Sequence, residues 1–394
     1  MSFDIALSGI QAINEQLETV SNNIANAATY GFKAGRANFS SVYAGTKANG
    51  VEIGSVTQNI SQNGSTTTTG RALDAAIDGR GFFVSRDTQG GLTYSRVGIF
   101  STDTKGFLID SNGKKIQGYG PANGGALGAM GDIQVPTGQI PAVATTGVAY
   151  VGNLSADAKV HTGTFSASDS STYDTVKQSV AYDSLGNQHT ISAYYVRSGD
   201  NSVDVYYGVD SAAAAKGATL TFNTDGSLKS TAPAAVSVAI PASNGAAAGT
   251  VAFTYTGTTL FAGDSTTTTN RSDGYASGAF VGVSMSADGS LVAKYSNDQS
   301  QVVGTIAIAS FANEGALTSI SDTSWSANAS SGAALYNTPG VGLAGKLSTG
   351  ALEGSNVDIT SELVGLMTSQ RNYQANSKVL TTESQMMQAL MQAL

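Results

Sequence analysis

Apolar side chains divide this chain into stretches of different period. From Phe3, the positions Leu7, Ile10, Asn14, Leu17, Ser21 and Ile24 follow one another in steps of three and four, the spacing of an amphipathic helix with a heptad seam. Asn14 and Ser21 place polar groups in that stripe. The pattern stops at Asn26, and Thr29-Tyr30-Gly31 reads as the helix end. The same spacing returns over about five heptads at Ile359, Leu363, Leu366, Gln370, Tyr373, Ser377, Leu380, Ser384, Met387, Met391 and Leu394. Ser355 and Asp358 have the spacing of a capping box, with Asp in place of Glu or Gln, and no Gly or Pro follows Gly365 to stop the helix. The pattern predicts helices over 3–27 and 357–393.

Between the two ends the period falls to two and turn chemistry takes over. Gly81-Phe82-Phe83-Val84, Leu92 to Val97 and Phe107-Leu108-Ile109 read as short strands, and Asn112-Gly113 is a hairpin turn before Lys114 to Tyr119. Further strands flank Gly186-Asn187, while Asp225-Gly226 and Asp288-Gly289 mark two more hairpins. The irregular spacing of these phrases argues for separate antiparallel β domains rather than a solenoid. Ser/Thr/Gly/Ala-rich stretches at Asn63–Gly70, Ala142–Gly147 and Gly263–Asn270 supply the boundaries. Charge separates the parts too: residues 145–284 hold ten acidic and six basic side chains, whereas 72–144 hold six of each. The expected fold is mainly β with α-helical termini. Residues 1–33 with 355–394 form a coiled-coil-like inner domain, and 34–71 an extended connector. Residues 72–144 with 285–354 form a first β domain, into which 145–284 is inserted as an outer one.

Each helical stripe must find an apolar partner. The two ends can pair with each other and close the chain, or they can also pair with copies from other molecules. Polar seam residues suit the second arrangement, because they set register at some cost in stability. Periodicity leaves both open.

Composition removes other classes. The chain has 394 residues, a net charge of −8 and only 12% charged side chains, with dispersed Lys and Arg, which leaves no footprint for nucleic acid or anionic lipid. No apolar run approaches the ~20 residues of a membrane span, so no membrane insertion is expected. With no cysteine, disulfides and thiolate chemistry are impossible. His161 and His189 stand 28 residues apart, and a zinc site would need both to converge with carboxylates; ordinary strand or loop histidines are the simpler expectation. The first basic residue is Lys33, after Asp4, Glu15 and Glu18, so residues 1–28 lack the positive region of a cleaved secretory signal.

Gly340 to Lys346 imitates two nucleotide motifs. Leu347 stands where a P-loop needs Ser or Thr, and Asn337-Thr338-Pro339 precedes in place of a strand, so the segment reads as a glycine-rich loop. No G-x-S-x-G elbow or marked carboxylate pair appears. No catalytic, cofactor or metal residues are expected, and the chain does not read as an enzyme.

Four segments carry an identity. The first is Asn22-Asn23-Ile24-Ala25-Asn26 with Thr29-Tyr30-Gly31-Phe32-Lys33; the second is Leu73-Asp74-Ala75-Ala76-Ile77 to Gly81-Phe82-Phe83. The third runs from Tyr94-Ser95-Arg96-Val97-Gly98 through Gly106-Phe107-Leu108 and Asn112-Gly113 to Gly118-Tyr119. The fourth contains Gly350 to Asp358, with Glu353 and Ser355-Asn356-Val357-Asp358, then Glu362-Leu363-Val364 and Gln370-Arg371-Asn372-Tyr373-Gln374. In this order they resemble the bacterial flagellar hook proteins within the rod–hook axial family. The likeness covers roughly 1–145 and 285–394 well, and the inserted region in layout only.

The resemblance implies a structural subunit that leaves the cell unfolded and uncleaved through the flagellar type III apparatus. It would polymerise beyond the rod into a curved flexible tube, a universal joint passing motor torque to the filament. The terminal helices would line the inner tube through Leu7, Ile10, Leu17, Ile24, Ile359, Leu363, Leu366, Tyr373, Leu380, Met387 and Met391, with the β domains outside. Implied partners are other copies of the chain, the distal rod protein, the hook cap, the hook–filament junction proteins and the export chain; the implied location is the extracellular hook. Rod proteins share the end motifs but lack a large inserted domain, so the insertion of 140 residues favours hook over the alternative, a distal rod subunit. A β-rich surface enzyme or adhesin is the rival from another class, and convergent pKa-perturbed residues in a pocket would be its signature.

Overall fold

The computed structural model describes residues 2–121 and 127–393; Leu394, the last position of the C-terminal stripe, lies outside them. A helix opens the chain (α1, Ser2–Ala25) and another closes it (α2, Ile359–Ala393), with β-strands between. The fold is therefore mainly β with helical termini. Asp358 caps α2, its Oδ1 accepting from the backbone N of Thr360 at 2.9 Å and of Ser361 at 3.3 Å. Ser355 was expected in that role; its hydroxyl instead accepts from Val357 N at 3.3 Å, one turn too early to reach the helix.

The extended connector expected over 34–71 is replaced by ordered structure. Strands Gly35–Ala44 and Lys47–Gln58 form a long antiparallel hairpin packed along α1, and Thr66–Thr68 pairs with Ala351–Glu353. Val51 N donates to Ser8 Oγ at 3.3 Å, fastening the hairpin to the helix.

The chain divides into two compact units, residues 1–137 with 282–294 and 300–394, and residues 138–281 with 295–299. In the first, strand Phe82–Arg86 pairs with Leu92–Ser95, Lys115–Tyr119 and Ile308–Ser310. Its core is aromatic: Phe82 meets Trp325 at 5.5 Å and Phe311 at 6.0 Å between ring centroids, and Tyr94 meets Phe311 edge-on at 4.8 Å.

The second unit has two five-stranded sheets around one core that includes Tyr150, Tyr195, Tyr207, Leu220, Val251 and Phe253. One sheet, from Thr175–Tyr182 to Leu228–Ala232, is an antiparallel meander. The other departs from the antiparallel expectation. Gly147–Ser155 runs parallel to Gly249–Thr254 and to Thr259–Phe261, and antiparallel to Thr266–Ser272. Parallel neighbours need a long crossover, and the whole meander lies between residues 155 and 249.

One turn recurs in both units. Asp87, Asp103, Asp110 and Asp183 each open an Asp-x-x-Gly-x hairpin in which Oδ1 accepts from the backbone N two and four residues on, at 2.7–2.9 Å. The glycine at the fourth position has φ of +90°, +83°, +78° and +85°, a conformation other residues adopt at a cost.

The two histidines do not converge. His161 Nε2 lies 2.8 Å from Asp174 Oδ1, while His189 Nδ1 lies 2.8 Å from Asp210 Oδ2 and its Nε2 3.5 Å from Asp183 Oδ2. The hydrogen bond to Asp210 raises the His189 pKa against the opposing effect of burial, and Asp183 adds to the rise. Burial alone would raise the Asp183 pKa, but hydrogen bonds from Asn187, Leu185 and His189 bring it down to about 2. A raised histidine pKa stabilises the fold below the unfolded value of about 6.5, and that contribution is lost as pH rises through the folded value. Thermal melts of the full chain should therefore show the second unit unfolding at lower temperature at about pH 9 than at about pH 6. His189→Gln should flatten that difference; an unchanged slope would assign it to other groups.

Candidate functional site: the helix pair and its buried anchor

α1 carries two stripes. The one turned inward is built from Ala6, Gly9, Ala12, Ile13, Val20 and Asn23, all buried. Against it α2 runs antiparallel. Asn23 Nδ2 donates to Glu362 Oε1 at 2.9 Å, a Cβ on Gly365 would touch Val20, and a Cβ on Gly9 would come within 2.8 Å of Asn376 Nδ2. Facing residue numbers thus sum to 385 along the pair, and small residues allow the close approach.

The predicted seam is rotated away from this interface on α1. Phe3 and Leu7 are exposed, and Ile10, Leu17 and Ile24 are only half-buried. On α2 the predicted positions divide. Leu366 and Leu380 are half-buried on the side of Glu362 and buried Ser369, whereas Ile359, Leu363, Gln370, Met387 and Met391 are exposed and Tyr373 is 39% exposed. Small residues together with Ile13, Val20, Leu366 and Leu380 thus make the intramolecular pairing, and much of the large apolar surface remains uncovered.

Below the pair lies an ionic anchor. Lys33 Nζ donates to Glu353 Oε1 at 2.6 Å and to Gln62 O at 2.7 Å; Arg96 Nη1 donates to Glu353 Oε2 and to Ile77 O, both at 3.2 Å, and Nη2 to Gly79 O at 2.8 Å. All three side chains are at most 2% exposed. Burial lowers the pKa of Lys33 and of Arg96, and Glu353 opposes the shift in both.

The end motifs converge around this cluster. Gly31 N donates to Glu353 O at 2.8 Å, and Asn356 Oδ1 accepts from Ala34 N at 2.7 Å while its Nδ2 donates to Asn59 O and Gln62 O. Asn356 N reaches Phe32 O at 3.3 Å, and Asn23 brackets Gly35 with bonds to its N and O, both at 2.8 Å. Gly31 sits at φ +68°, where a Cβ would strike the backbone of Arg96 and Val97 at 2.9 Å. Leu73, Asp74, Gly81, Phe82 and Phe83 belong to the β framework beneath: buried Asp74 accepts from Thr69 Oγ1 at 2.7 Å, and Phe83 meets Phe100 at 5.0 Å.

Other motif residues stay outside. Ala25, Gln370 and Arg371 are exposed, Ser355 and Val357 are half-buried, and Asn26 Nδ2 donates to Asn22 Oδ1 at 2.7 Å on the helix surface. Sequence reasoning quoted Lys33, Arg96 and Glu353 inside the motifs but gave them no role. Their one signal was charge inside buried-type segments of a chain poor in charge.

A cleft of about 460 Å³ borders α1, lined by Asn22, Asn23, Asn26, Lys33, Asp322 and Trp325 among others. Its lysine is already committed to Glu353 and Gln62, and Trp325 Nε1 donates to Gln58 Oε1 at 2.6 Å. The arrangement suits holding elements together.

Family models match this chain in four places. They are described as flagella basal body rod protein (residues 3–33), flagellar hook protein FlgE/F/G D1 domain (76–156), flagellar basal body protein FlaE D2 domain (153–275) and flagellar basal body rod FlgEFG protein C-terminal (348–393). The flagellar hook protein FlgE of Escherichia coli K12 is 39% identical over 403 residues, covering 99% of each chain. That of Salmonella typhimurium LT2 is 39% identical over 405 residues, and that of Rhizobium meliloti 1021 is 32% identical, covering 98% of this chain and 96% of its own. Among solved structures, Helicobacter pylori flagellar hook protein FlgE2 aligns with TM-score 0.51 and 12% identity, over 71% of this chain and 98% of that one. At that identity the likeness concerns the fold.

Proposed function

The chain belongs to the flagellar hook protein family, and from that premise we propose that it is a structural, non-catalytic subunit whose copies assemble into the hook through the uncovered faces of α1 and α2. The observation that carries this reading is the large apolar surface left on both helices after they have paired with each other. Covering one Leu or Ile contributes roughly 1.5–3 kcal/mol, repeated in every subunit of a polymer.

The anchor gives the helices a firm hold on the first β unit. Load applied to α1 and α2 passes through Asn23, Asn356 and the Lys33–Glu353–Arg96 cluster into the β framework, rather than through a slack connector. The second unit offers a low-charge surface rich in Ser, Thr and Gly, with few deep anchors, so its contacts can slide as a curved tube turns. The tube is then a flexible universal joint between rod and filament. The chain reaches that place unfolded and uncleaved through the flagellar type III apparatus, and meets the distal rod, hook cap and hook–filament junction proteins at the ends of the polymer.

A distal rod role is not retained, since relatives matching over the full length, inserted unit included, are hook proteins. Electron microscopy of the polymer grown from purified full chain tests the reading. A curved tube is expected; a straight rigid rod would restore the rod alternative, and the absence of any polymer would remove the axial role.

A further inference from the structure

Resting on that reading, we propose that the methionines of α2 make assembly sensitive to oxidation: their conversion to sulfoxide blocks packing against a second copy of the chain. The chain has no cysteine and seven methionines. Four of the seven lie on α2, Met367, Met386, Met387 and Met391, with exposures of 52%, 54%, 65% and 74%. By contrast Met285 is buried, at 6%, and Met130 is half-buried on a strand. Among the described residues, the readily oxidised sulfur is thus gathered on the element that must become covered.

Geometry says what covers it. Facing residues of α1 and α2 sum to 385, so Ser2 lies opposite residue 383. Residues 384–393 carry α2 on past that point for roughly 15 Å at the helical rise of 1.5 Å per residue. The stripe that faces α1 does not stop there. Ser369, Tyr373, Asn376, Leu380 and Glu383 continue in the same steps of three and four to the exposed Met387 and Met391. The interface already made within the chain is therefore continuous with an exposed apolar segment, Met386, Met387, Leu390 and Met391, which a second copy of the chain covers.

Methionine suits a contact that must shift as a tube bends, because its unbranched thioether adapts to irregular surfaces. The same atom is its weakness. A peroxide delivers one oxygen to the thioether sulfur: the S–O bond forms as the O–O bond breaks, sulfur loses two electrons, and hydrogen peroxide leaves as water. The product is polar and chiral, disrupts methionine-rich interfaces, and is restored by sulfoxide reductases. Exposure in the monomer makes unassembled chains the targets, and burial in the polymer protects them.

The test treats full chain with hydrogen peroxide, maps sulfoxide at each methionine by peptide mass, and measures the critical concentration for polymer by sedimentation. Oxidised chain should need at least about tenfold more protein to assemble, and sulfoxide reductases should restore the original value. The fourfold variant M367L/M386L/M387L/M391L should assemble and resist peroxide, Leu being a volume-conserving replacement. Oxidised wild type assembling like untreated chain would overturn the inference, as would a Leu variant that loses assembly equally. If the variant does not assemble untreated, recovery under reductase decides: tracking sulfoxide at these four residues supports the inference, and failure to track refutes it. Untreated wild type that never sediments would instead remove the hook reading itself, and this inference with it.

Discussion

Glu353→Ala should destabilise the first unit by about 3–5 kcal/mol, the cost of leaving buried charge unpaired. Glu353 is the carboxylate that both Lys33 and Arg96 contact, and it also accepts from Gly64 N at 3.0 Å. Without it two cations remain in a site where all three side chains are nearly inaccessible. For a unit of this size the unfolding midpoint should drop by roughly 10 °C. Lys33→Met separates this account from a simple packing effect. It leaves a one-to-one pair of Arg96 and Glu353 and removes one bond to Gln62 O, so its cost should be about 1–2 kcal/mol. Differential calorimetry of the full chain reads both. Equal losses for the two variants would mean that charge balance is not what holds the anchor.

The second large effect concerns assembly without folding. Leu363 is 46% exposed and Leu7 40% exposed on the isolated subunit. Leu363→Asp or Leu7→Asp should therefore change subunit stability by less than about 0.5 kcal/mol. In a polymer the same change forfeits apolar burial and forces a carboxylate out of water, together at least about 10³-fold in critical concentration. Leu366 and Leu380 are less clean positions, because they are half-buried on the side turned towards α1 and Asp there disturbs both pairings. Sedimentation with circular dichroism distinguishes the cases. Normal polymer from both exposed-site variants would refute the role given to the helices.

How much of this was legible from residues alone depends on where each signal resides. The helices announce themselves because a 3.6 period is local, and so does the Asn112-Gly113 hairpin, whose bonds close within five residues. Which face of α1 turns inward was hidden. Ala6, Gly9 and Ala12 carry little hydrophobic signal, yet they are buried, with α2 in close approach at Gly9 and the hairpin packed along the same helix. The hairpin of residues 35–58 was hidden too: Phe39, Tyr43 and Val56 are exposed, so its strands lack the one-sided alternation of a buried sheet. Lys33 and Arg96 meet Glu353 from 320 and 257 residues away, a separation over which spacing is mute. The parallel pairing of Gly147–Ser155 is equally non-local.

Amide hydrogen exchange on subunit and polymer, compared residue by residue, bears most directly on the claim that assembly proceeds through the helix faces left uncovered by α1–α2 pairing. The account predicts that protection rises steeply on assembly across Ser2–Ala25 and Ile359–Ala393, most of all in the exposed end of α2 after residue 383, while the cores of both β units change little. Helices that exchange alike in subunit and polymer, with the new protection confined to β strands, would contradict it.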